Sequence, residues 1–402
     1  MLDFGRAEFD KVIRTTITER KEIKSKYPLV KLGEVCEVKI GGTPSRASGE
    51  YFTGENLWVS ISEMNGKVIT DTKEKITEAA IKNSNVKLIP KGTTLLSFKL
   101  SIGKTAIAGA DLYTNEAIAG LVPMDKKVVS DNYLFHLFNG RMIDLENVGN
   151  KAFGKSLNSK YLREEIKIPQ PPLPIQQQIV AECEKIDHEF ENTRMKIEEY
   201  RGKIAKIFND LEVISGGVKR FRINELCSLL KRGKSPKYGN SAVQVIKSGQ
   251  ARGYSSFEFK ERYYLSEEVN LDERKLQKGD LLINSTGVGT AGRVTLFDLD
   301  GDFVADSHIT IFRTNEKLLP KFGLYSLANI GFKTIEKMAN GSSGQIELNL
   351  STIENIAFVV PDIAEQQTII TQINEWENKI AMLEGKMANA AAEKAAVLAK
   401  YL

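Results

Sequence analysis

The first residues that could support chemistry form a glycine-rich motif in the second half of the chain. Gly287-Val288-Gly289-Thr290-Ala291-Gly292 matches the dinucleotide-binding fingerprint GxGxxG and follows an apolar run, Leu281-Leu282-Ile283. In that fingerprint the glycines lead into a helix whose N-terminus binds a pyrophosphate. Here the motif leads into Arg293 to Phe297, which has the composition of a β-strand. The sequence therefore predicts a glycine-rich loop between strands and argues against nucleotide binding.

Two other enzyme-like patterns also fail in their context. Gly103-Lys104-Thr105 resembles the end of a P-loop, but Phe98 stands where that motif requires glycine. Pro361-Asp362 followed by Glu377-Asn378-Lys379 has the letters of a nuclease core. However, the second group falls on a predicted helix, which would not bring these side chains to one metal ion. We expect neither ATP binding nor metal-dependent cleavage.

Methyl transfer and metal binding are disfavoured for similar reasons. Gln170-Pro171-Pro172-Leu173 lacks the Asn or Asp and the aromatic residue that an adenine methyltransferase places around its prolines. The histidines and cysteines lie too far apart to form a metal-ligand set or a catalytic triad, and the cysteines suit small buried side chains in a reducing compartment. We predict no catalytic residue, no metal site and no disulfide among His136, His188, His308, Cys36, Cys183 and Cys227.

The elements that would position any site occur twice, about 190 residues apart. Each copy has β-type runs joined by glycine and proline turns, and each ends in a proline-containing segment with a Gln-Gln pair. The matched segments are Leu32–Cys36 and Ile223–Cys227, Gly42–Pro44 and Gly233–Pro236, Lys91-Gly92 and Lys278-Gly279, Leu157-Asn158 and Leu348-Asn349, and Pro171–Gln177 and Pro361–Gln367.

A long helix is predicted after each Gln-Gln pair. Apolar residues follow 4-3 spacing from Ile179 to Leu211 and again from Ile369 to Ala390, the seam pattern of a coiled coil. Each helix covers roughly 40 residues, or about 60 Å. Neither could bury its stripe alone, so we predict that the two pack antiparallel with a globular domain at each end. Past Ala390 the seam meets Lys394, and the last turns are expected to shift phase or fray.

The predicted fold class is α+β: two tandem mixed α/β domains separated by a pair of long antiparallel coiled-coil helices, a dumbbell with approximate two-fold symmetry. The glycines between Val213 and Arg220 are expected to end the first helix. The predicted segments are a helical segment at 1–27, a first domain at 28–171, a central helix at 172–213, a second domain at 214–360 and a last helix at 361–402.

Composition places the chain among globular proteins, with 42% hydrophobic and 27% charged residues. There is no run of about 18 apolar residues, and the first residues lack the apolar core of a signal peptide, so we expect a cytoplasmic protein without a membrane partner. The net charge is only +4. Any nucleic-acid surface must therefore be a local patch.

The duplicated layout resembles the specificity subunits of type I restriction-modification systems. The resemblance covers about residues 28 to 402. The residues that carry it are Leu32-Gly33-Glu34, Gly41-Gly42-Thr43-Pro44, Lys91-Gly92, Leu157-Asn158, Ile168-Pro169 with Pro171–Gln177, Asp306-Ser307-His308 and Pro361–Gln367. The second copy lacks the extra prolines of the first, which leaves the start of its helix less sharply defined.

The resemblance implies a role in DNA recognition without chemistry. Members of this family bind a two-part site on double-stranded DNA, one part per target-recognition domain. They recruit two modification subunits that methylate adenine, and restriction subunits join for cleavage. It also implies that S-adenosylmethionine, ATP and Mg²⁺ bind to those partner subunits and not to this chain. The two helices would act as a ruler, whose length limits the separation of the domains to about 18 base pairs.

Candidate DNA contacts follow from what a reader of double-stranded DNA needs, which is Lys and Arg near phosphates and polar side chains that reach base edges from loops. The glycine-rich loop at 287–292 is expected near the DNA backbone. His308 could contact DNA or hold its loop, and both remain open. The candidates are Thr43, Ser45, Arg46, Ser60, Ser62, Asn65, Lys99, Ser101 and Lys104 in the first copy, and Lys234, Ser235, Lys237, Lys247, Ser248, Gln250, Arg252, Ser285, Thr286, Arg293 and His308 in the second.

The outer faces of the long helices are candidates for docking the modification subunits. A second class of explanation is a duplicated scaffold that binds protein partners without reading DNA, and the modest net charge permits it.

Overall fold

The structure is a computed structural model that describes residues 25–65, 68–99, 101–140, 142–143, 145, 158–215, 220–267, 271–342 and 345–402. The described chain divides into two compact units. The N-terminal unit contains residues 25–194 together with 385–402, and the C-terminal unit contains residues 195–384. Each unit thus has one globular part, the end of one long helix and the beginning of the other.

The N-terminal unit contains one larger mixed sheet, of strand order β2-β9-β6-β7-β4, a small sheet of order β5-β3-β8, and the pair β1-β10. Its strands are β1 Leu29–Lys31, β2 Cys36–Ile40, β3 Asn56–Val59, β4 Val68–Ile69, β5 Glu74–Ile76, β6 Thr94–Ser97, β7 Thr105–Ala108, β8 Tyr113–Thr114, β9 Ile118–Pro123 and β10 Lys167–Pro169. Its helices are α1 Leu32–Val35, α2 Glu78–Lys82, α3 Asp131–Asn139, α4 Ser159–Glu164 and the first part of α5 Leu173–Ser215, with 3-10 helices at Gly49–Phe52 and Ile61–Glu63.

The C-terminal unit contains a sheet of order β12-β20-β17-β18, a small sheet of order β16-β13-β19, and the pairs β11-β23, β14-β15 and β21-β22. Its strands are β11 Arg220–Arg222, β12 Cys227–Arg232, β13 Gln244–Ile246, β14 Ala251–Gly253, β15 Ser256–Phe257, β16 Tyr263–Tyr264, β17 Leu281–Asn284, β18 Val294–Leu296, β19 Phe303–Ala305, β20 Ile309–Thr314, β21 Asn340–Ser342, β22 Gln345–Glu347 and β23 Ala357–Val359. Its helices are α6 Ile223–Leu226, α7 Pro320–Ile330, α8 Phe332–Glu336, α9 Leu350–Glu354 and the first part of α10 Ile363–Tyr401.

The internal repeat predicted from the sequence is a repeat of topology. The order β2-β9-β6-β7 of the first unit returns as β12-β20-β17-β18 in the second, and β5-β3-β8 returns as β16-β13-β19. In both small sheets the central strand pairs antiparallel with one neighbour and parallel with the other. The turns at the matched positions also agree, because Gly92 and Gly279 both have positive φ angles. The predicted α+β class with two mixed domains and long helices is confirmed.

The long helices pack antiparallel within the N-terminal unit. Ile179 and Cys183, near the start of α5, share one core with Leu398, near the end of α10. The Lys400 ammonium lies 2.7 Å from the Glu182 carboxylate, and the Tyr401 hydroxyl donates to the same oxygen at 2.5 Å. The beginning of one helix therefore meets the end of the other.

The same arrangement is found within the C-terminal unit. Ile207 and Leu211, near the end of α5, pack against the core that contains Ile369 and Ile373 of α10. Farther along the seam, Arg201 Nη2 donates to Glu384 Oε1 at 2.9 Å. The predicted antiparallel pairing of the helices is thus confirmed in each unit.

A buried glutamine fixes the start of each long helix to its own globular part. Gln176, which has no exposed surface, accepts the Ser130 N–H and donates to the carbonyls of Val128 and Pro171. Gln366, equally buried, accepts the Leu319 N–H and donates to the carbonyls of Lys317 and Pro361. Ser130 and Leu319 precede the matched helices α3 and α7. These three bonds satisfy backbone groups that burial would otherwise leave unpaired.

The expectation that the last turns fray at Lys394 is wrong. Helix α10 continues to Tyr401, and Lys394 is only 8% exposed at a seam position. Its ammonium pairs with the Asp187 carboxylate of α5 and donates to Asn139 Oδ1 of α3 at 3.1 Å. A buried cation is tolerated there because a carboxylate neutralises its charge and an amide oxygen accepts a hydrogen bond from it.

The N-terminal prediction falls mostly outside the described residues, since only 25–27 of the segment 1–27 are described. Those three residues are not helical. The Lys26 N–H donates to the Leu402 carbonyl at 2.6 Å, which places this residue beside the end of α10.

Cys36, Cys183 and Cys227 are free thiols in the structure. Burial raises the pKa of Cys36 to about 12 and that of Cys183 to about 11. Cys227 departs from the prediction of a buried side chain because it is only partly buried.

We expect Gln366→Ala to destabilise the C-terminal unit by about 2 to 4 kcal/mol, because it leaves several buried backbone groups without a partner. Gln367 is the matched control, since its side chain is exposed and its replacement by Ala should cost less than about 0.5 kcal/mol. Urea denaturation followed by Trp376 fluorescence in a Trp58→Phe background measures both. Equal midpoints for the two variants would contradict this role of Gln366.

We also expect a pH-dependent loss of stability that depends on His136. This side chain is 3% exposed, and burial, followed by the nearby Lys394 ammonium, lowers its pKa from 6.5 to about 4, while Asp187 acts in the opposite direction. The unfolded chain therefore takes up a proton near pH 6.5 that the folded chain does not bind until about pH 4. Stability that is present above pH 6.5 should fall by up to about 3 kcal/mol as the pH approaches 4.

Denaturation midpoints between pH 7.5 and 4.5 would measure this effect. His136→Gln should flatten the pH profile, whereas His188→Gln, at an exposed position of α5, should leave it unchanged. The same profile for His136→Gln and the parent chain would count against the assignment.

Candidate nucleic-acid interface

In the N-terminal unit the strand pairing brings four loop segments to one end of the sheets. Because β9 lies between β2 and β6 in antiparallel register, the ends of β2 and β6 lie beside the start of β9. The loop between β6 and β7 leaves from the same end. The end of β3 joins them, since the Asn115 N–H donates to the Val59 carbonyl at 3.0 Å. We call this the first loop edge, formed by residues 41–46, 60–65, 98–104 without residue 100, and 115–117.

The C-terminal unit builds the equivalent edge from equivalent strands. The ends of β12 and β17 lie beside the start of β20, and the Asp306 N–H donates to the Ile246 carbonyl at 3.0 Å, which joins the end of β13. The Ser285 N–H donates to the His308 carbonyl at 2.8 Å across this edge. We call it the second loop edge, formed by residues 233–238, 247–250, 285–293 and 306–308.

One glycine in each edge is required by a close backbone crossing. A Cβ atom at Gly41 would overlap the carbonyl oxygens of Thr114 and Asn115, and a Cβ atom at Gly233 would overlap those of Ala305 and Asp306. The Gly41 N–H donates to the Ile118 carbonyl, and the Gly233 N–H donates to the Ile309 carbonyl. Each acceptor is the first residue of the neighbouring strand. Structurally, Gly233 therefore matches Gly41, and the sequence match of Gly233 to Gly42 is off by one residue.

The glycine-rich motif is a loop between strands, as predicted. It connects β17 to β18, and the Asn284 N–H donates to the Arg293 carbonyl at 2.9 Å to close it. Gly287, Gly289 and Gly292 all have positive φ angles, which residues with a Cβ adopt at a cost. The chain continues into a strand, so this loop lacks the helix N-terminus that binds a pyrophosphate.

The P-loop-like and nuclease-like sequence patterns also lack the structural context that those sites require. Thr105 starts strand β7, so the P-loop-like residues lead into a strand and not into a phosphate-binding helix. Asp362 accepts the Glu365 N–H at the start of α10, whereas Glu377 accepts the Tyr325 hydroxyl about 22 Å farther along that helix. Among the described residues, no three His, Cys, Asp or Glu side chains are grouped so that they could hold a metal ion. No helix in the described part of the chain is long and apolar enough to cross a membrane.

The first loop edge gathers all the candidates of the first copy, but several are engaged within the protein. The Thr43 hydroxyl donates to the Glu116 carboxylate, and this bond is the main reason why the pKa of Glu116 lies below its usual value. The Arg46 guanidinium pairs with Glu74. Ser60 donates to Glu63 at 2.8 Å and also contacts the Ser62 hydroxyl at 2.8 Å. Lys104 is half-buried. The Lys99 ammonium lies 5.4 Å from the Phe98 ring centroid. The exposed side chains on this edge include Thr43, Ser45, Ser62, Asn65 and Ser101.

The second loop edge gathers most candidates of the second copy. The Lys234 ammonium pairs with Asp272 at 2.6 Å, and Ser235 contacts the Ser307 hydroxyl at 3.3 Å. His308 contacts the Thr286 hydroxyl through Nδ1 at 2.8 Å, while its ring remains exposed. These contacts support the loop-holding interpretation of His308 and leave its ring accessible. Lys237 is exposed, and Lys247 and Ser248 are half-buried.

Two candidates cannot reach DNA from their positions, which corrects the sequence prediction. Ser285 has no exposed surface, and its hydroxyl lies 2.6 Å from that of Thr310. Gln250 is 8% exposed; its amide accepts the Lys247 N–H and donates to the Glu261 carbonyl at 2.7 Å. Both side chains hold the loops of the second edge together.

Arg252 and Arg293 lie side by side at the flank of the second edge. Arg252 pairs with Glu258 at 3.4 Å. Arg293 donates to the Gly289 carbonyl at 3.2 Å, and burial, followed by the charge of Arg252, lowers its pKa. Its guanidinium thus stiffens the glycine-rich loop.

Sequence reasoning missed two exposed side chains and one segment of the two edges. Tyr238 and Val288 are 52% and 63% exposed in the second edge. Residues 115–117 of the first edge are the structural counterpart of Asp306-Ser307-His308, which the sequence did single out. Extending the internal repeat to residues 115–117 would have found this segment. Ala117 lies one residue before β9, just as His308 lies one residue before β20.

We expect Gly233→Ala to disrupt the second edge, because the added methyl group must push β12 away from the backbone before β20. The cost should be about 1 to 3 kcal/mol or more. Gly249→Ala in the same edge is the matched control, since a Cβ atom there meets nothing within 4 Å. Thermal unfolding compares the two, and equal loss of stability would disprove the backbone crossing as the constraint.

Comparison with known proteins agrees with this duplicated architecture. A family model described as the type I restriction modification DNA specificity domain matches residues 24–199 and again residues 216–390. The MjaIX specificity subunit of Methanocaldococcus jannaschii is 31% identical over 193 residues, which are 47% of this chain and 44% of that protein. The EcoR124I/EcoR124II specificity subunit of Escherichia coli is 29% identical over 163 residues, or 39% and 40% of the two chains. The matches therefore span less than half the length of these relatives.

Solved structures show the same fold over nearly the whole chain. The S subunit of a type I restriction-modification system from M. genitalium has a TM-score of 0.52 at 14% identity and covers 96% of this chain and 99% of its own. A chain from a structural study of complex assembly in the type I restriction-modification system has a TM-score of 0.54 at 18% identity, with 94% and 99% covered. With both halves matched by the family model, the chain belongs to the family of type I restriction-modification specificity subunits.

Proposed function

We propose that this chain reads a bipartite site on double-stranded DNA, with one loop edge for each half of the target. The observation that carries the proposal is that the same edge is built twice, from the same strand order, with different side chains on its loops. Sequence is read by side chains that reach base edges from such elements. Two edges with different side chains should therefore recognise two different half-sites.

The charges at the edges suit this role. The lysines among the predicted DNA contacts, which are Lys99 and Lys104 in the first edge and Lys234, Lys237 and Lys247 in the second, lie beside polar side chains of the same loops. Phosphate contacts position a protein on the duplex, and the neighbouring polar groups then read the bases. The local concentration of cations matters more than the net charge of +4.

The chemistry would be performed by partners. We infer that the long helices dock two modification subunits, which carry S-adenosylmethionine and methylate adenine, and that restriction subunits with ATP and Mg²⁺ join the same complex. The chain itself would be non-catalytic. It would act in the cytoplasm, where bacterial or archaeal DNA is accessible to such a complex.

Methylome sequencing tests the proposal directly. Host DNA is compared with and without this gene in cells that retain the neighbouring modification subunit. Loss of one bipartite methyladenine motif on deletion supports the specificity role and identifies the target. An unchanged methylome with a demonstrably active modification partner would favour a scaffold that binds only proteins.

We further expect that exchanging residues 28 to 160 for the corresponding domain of another family member changes one half of the methylated motif and leaves the other half as it was. The reason is that each loop edge is formed within one unit. Methylome sequencing of the exchanged chain provides the measurement. A chimera that methylates DNA with both original half-sites would refute the division of labour.

A further inference from the structure

In the first loop edge, the Arg46 side chain is 55% exposed, yet its guanidinium contacts three residues of the protein. Its guanidinium carbon lies 4.0 Å from the ring centroid of Phe52 and 5.3 Å from that of Trp58. Both terminal nitrogens donate to the Glu74 carboxylate, Nη2 at 2.9 Å and Nη1 to the second oxygen. The rings also contact each other edge to face, with centroids 5.6 Å apart. The guanidinium therefore uses the fork that would bind a base or phosphate for Glu74, and it already contacts two aromatic rings.

These contacts tie the glycine-proline loop, residues 41–46, to the small sheet. Trp58 lies on β3 opposite Glu74 of β5. The Trp58 indole N–H donates to the Gly42 carbonyl at 3.0 Å, and only 2% of this side chain is exposed. The sheet thus holds the loop at two points, through Trp58 near its start and through Arg46 near its end.

The second loop edge contains the same device with the partners exchanged. The loop after Gly233 and Pro236 supplies an aromatic ring, Tyr238, and the small sheet supplies the cation, Lys247, directly after β13. The Lys247 ammonium lies 3.5 Å from the ring centroid of Tyr263 and 5.2 Å from that of Tyr238. The two rings are 5.7 Å apart.

The positions correspond through the repeat. Tyr263 of β16 is paired with Val245 of β13, as Glu74 of β5 is paired with Trp58 of β3. In both units a cation and aromatic rings therefore connect the glycine-proline loop to the same two strands of the small sheet. Because different residues produce the same connection, the shared element is the fixed loop and not a particular side chain.

We propose that Arg46 and Lys247 are positioning residues that hold the two glycine-proline loops for DNA reading, and that base contacts come from their loop neighbours. This inference rests on the proposed function for its DNA part alone. These neighbours include the exposed Ser45 in the first edge and the exposed Lys237 in the second. A phosphate at Arg46 would have to approach the Glu74 carboxylate, which repels it.

The decisive variant is Glu74→Gln, because the two roles of Arg46 predict opposite results. If Arg46 contacted DNA, loss of the Glu74 charge would free the guanidinium and strengthen binding. If Arg46 positions the loop, Glu74→Gln and Arg46→Ala should each weaken binding to the DNA motif found by methylome sequencing by about ten-fold. The double variant should bind only slightly more weakly than either single variant. Asp71→Asn is the matched control, since Asp71 pairs at the surface with Lys75 of the same strand β5 as Glu74 and holds no loop.

Salt dependence gives a second readout that a direct contact would move. The logarithm of the binding constant K falls with the logarithm of the salt concentration, and loss of one phosphate contact makes that slope less steep by about 0.9. We expect an unchanged slope for Arg46→Ala, together with relaxed preference at the first half-site only. A reduced slope, or stronger binding by Glu74→Gln, would overturn the positioning role.

In the second edge, Tyr238→Ala should relax preference at the second half-site, and Tyr238→Phe, which keeps the ring, should restore it. The same relaxation with Tyr238→Phe would show that the ring does not hold the loop and would contradict the proposal for this edge.

Hydrogen exchange of the full chain without DNA separates this inference from the proposed function. The amides of Gly42 and Ser48 donate to Thr114 and Ser45. They should exchange at least about ten-fold faster in Arg46→Ala and Glu74→Gln, but not in Asp71→Asn. Unchanged exchange would refute the positioning role even if the chain reads DNA. Faster exchange in a chain without any sequence preference would retain the loop assignment and reject the proposed function.

Discussion

The buried amides of Gln176 and Gln366 are the contacts on which each unit depends. Each amide uses its acceptor and both donors on backbone groups that no helix or strand satisfies, at the point where a strand ends and a long helix begins. The globular part therefore has one orientation on its helix. Without that orientation, the loop edges would have no defined direction relative to the helix in their own unit.

The helix seam adds specificity through polar residues within an apolar pattern. In the N-terminal unit, Lys394 occupies a seam position and meets Asp187, with the neutral His136 beside them. At the position of His136, the C-terminal unit has Tyr325, whose hydroxyl donates to Glu377 at 2.5 Å. In each unit, a helix of the globular part thus contacts a carboxylate on a long helix. The contact is made by an imidazole on α3 in the N-terminal unit and by a phenol hydroxyl on α7 in the C-terminal unit. Buried polar pairs of this kind fix register at some expense of stability.

The loop edges reflect a balance between rigidity and exposure. Gly41 and Gly233 allow two backbone segments to cross closely. The buried side chains of Ser285 and Gln250, together with the cation-aromatic contacts, hold the loops in place. A loop that is already ordered loses less conformational entropy when it binds DNA. The side chains that remain exposed can differ between the two edges without changing the frame that carries them.

The sequence by itself determined the repeat, the α+β class, the two long helices and the absence of a nucleotide-binding helix after Gly292. These features rest on local periodicity and turn chemistry, which are readable along the chain. Tertiary structure alone decided that Ser285 and Gln250 are buried, that Lys394 is accommodated in the seam, and that Arg46 faces Glu74. Each of those outcomes depends on partners brought close by strand pairing or helix packing, at sequence separations up to 255 residues for Lys394 and Asn139. Such contacts leave no periodic signal in a single sequence, because their geometry exists only after the sheets and helices have assembled.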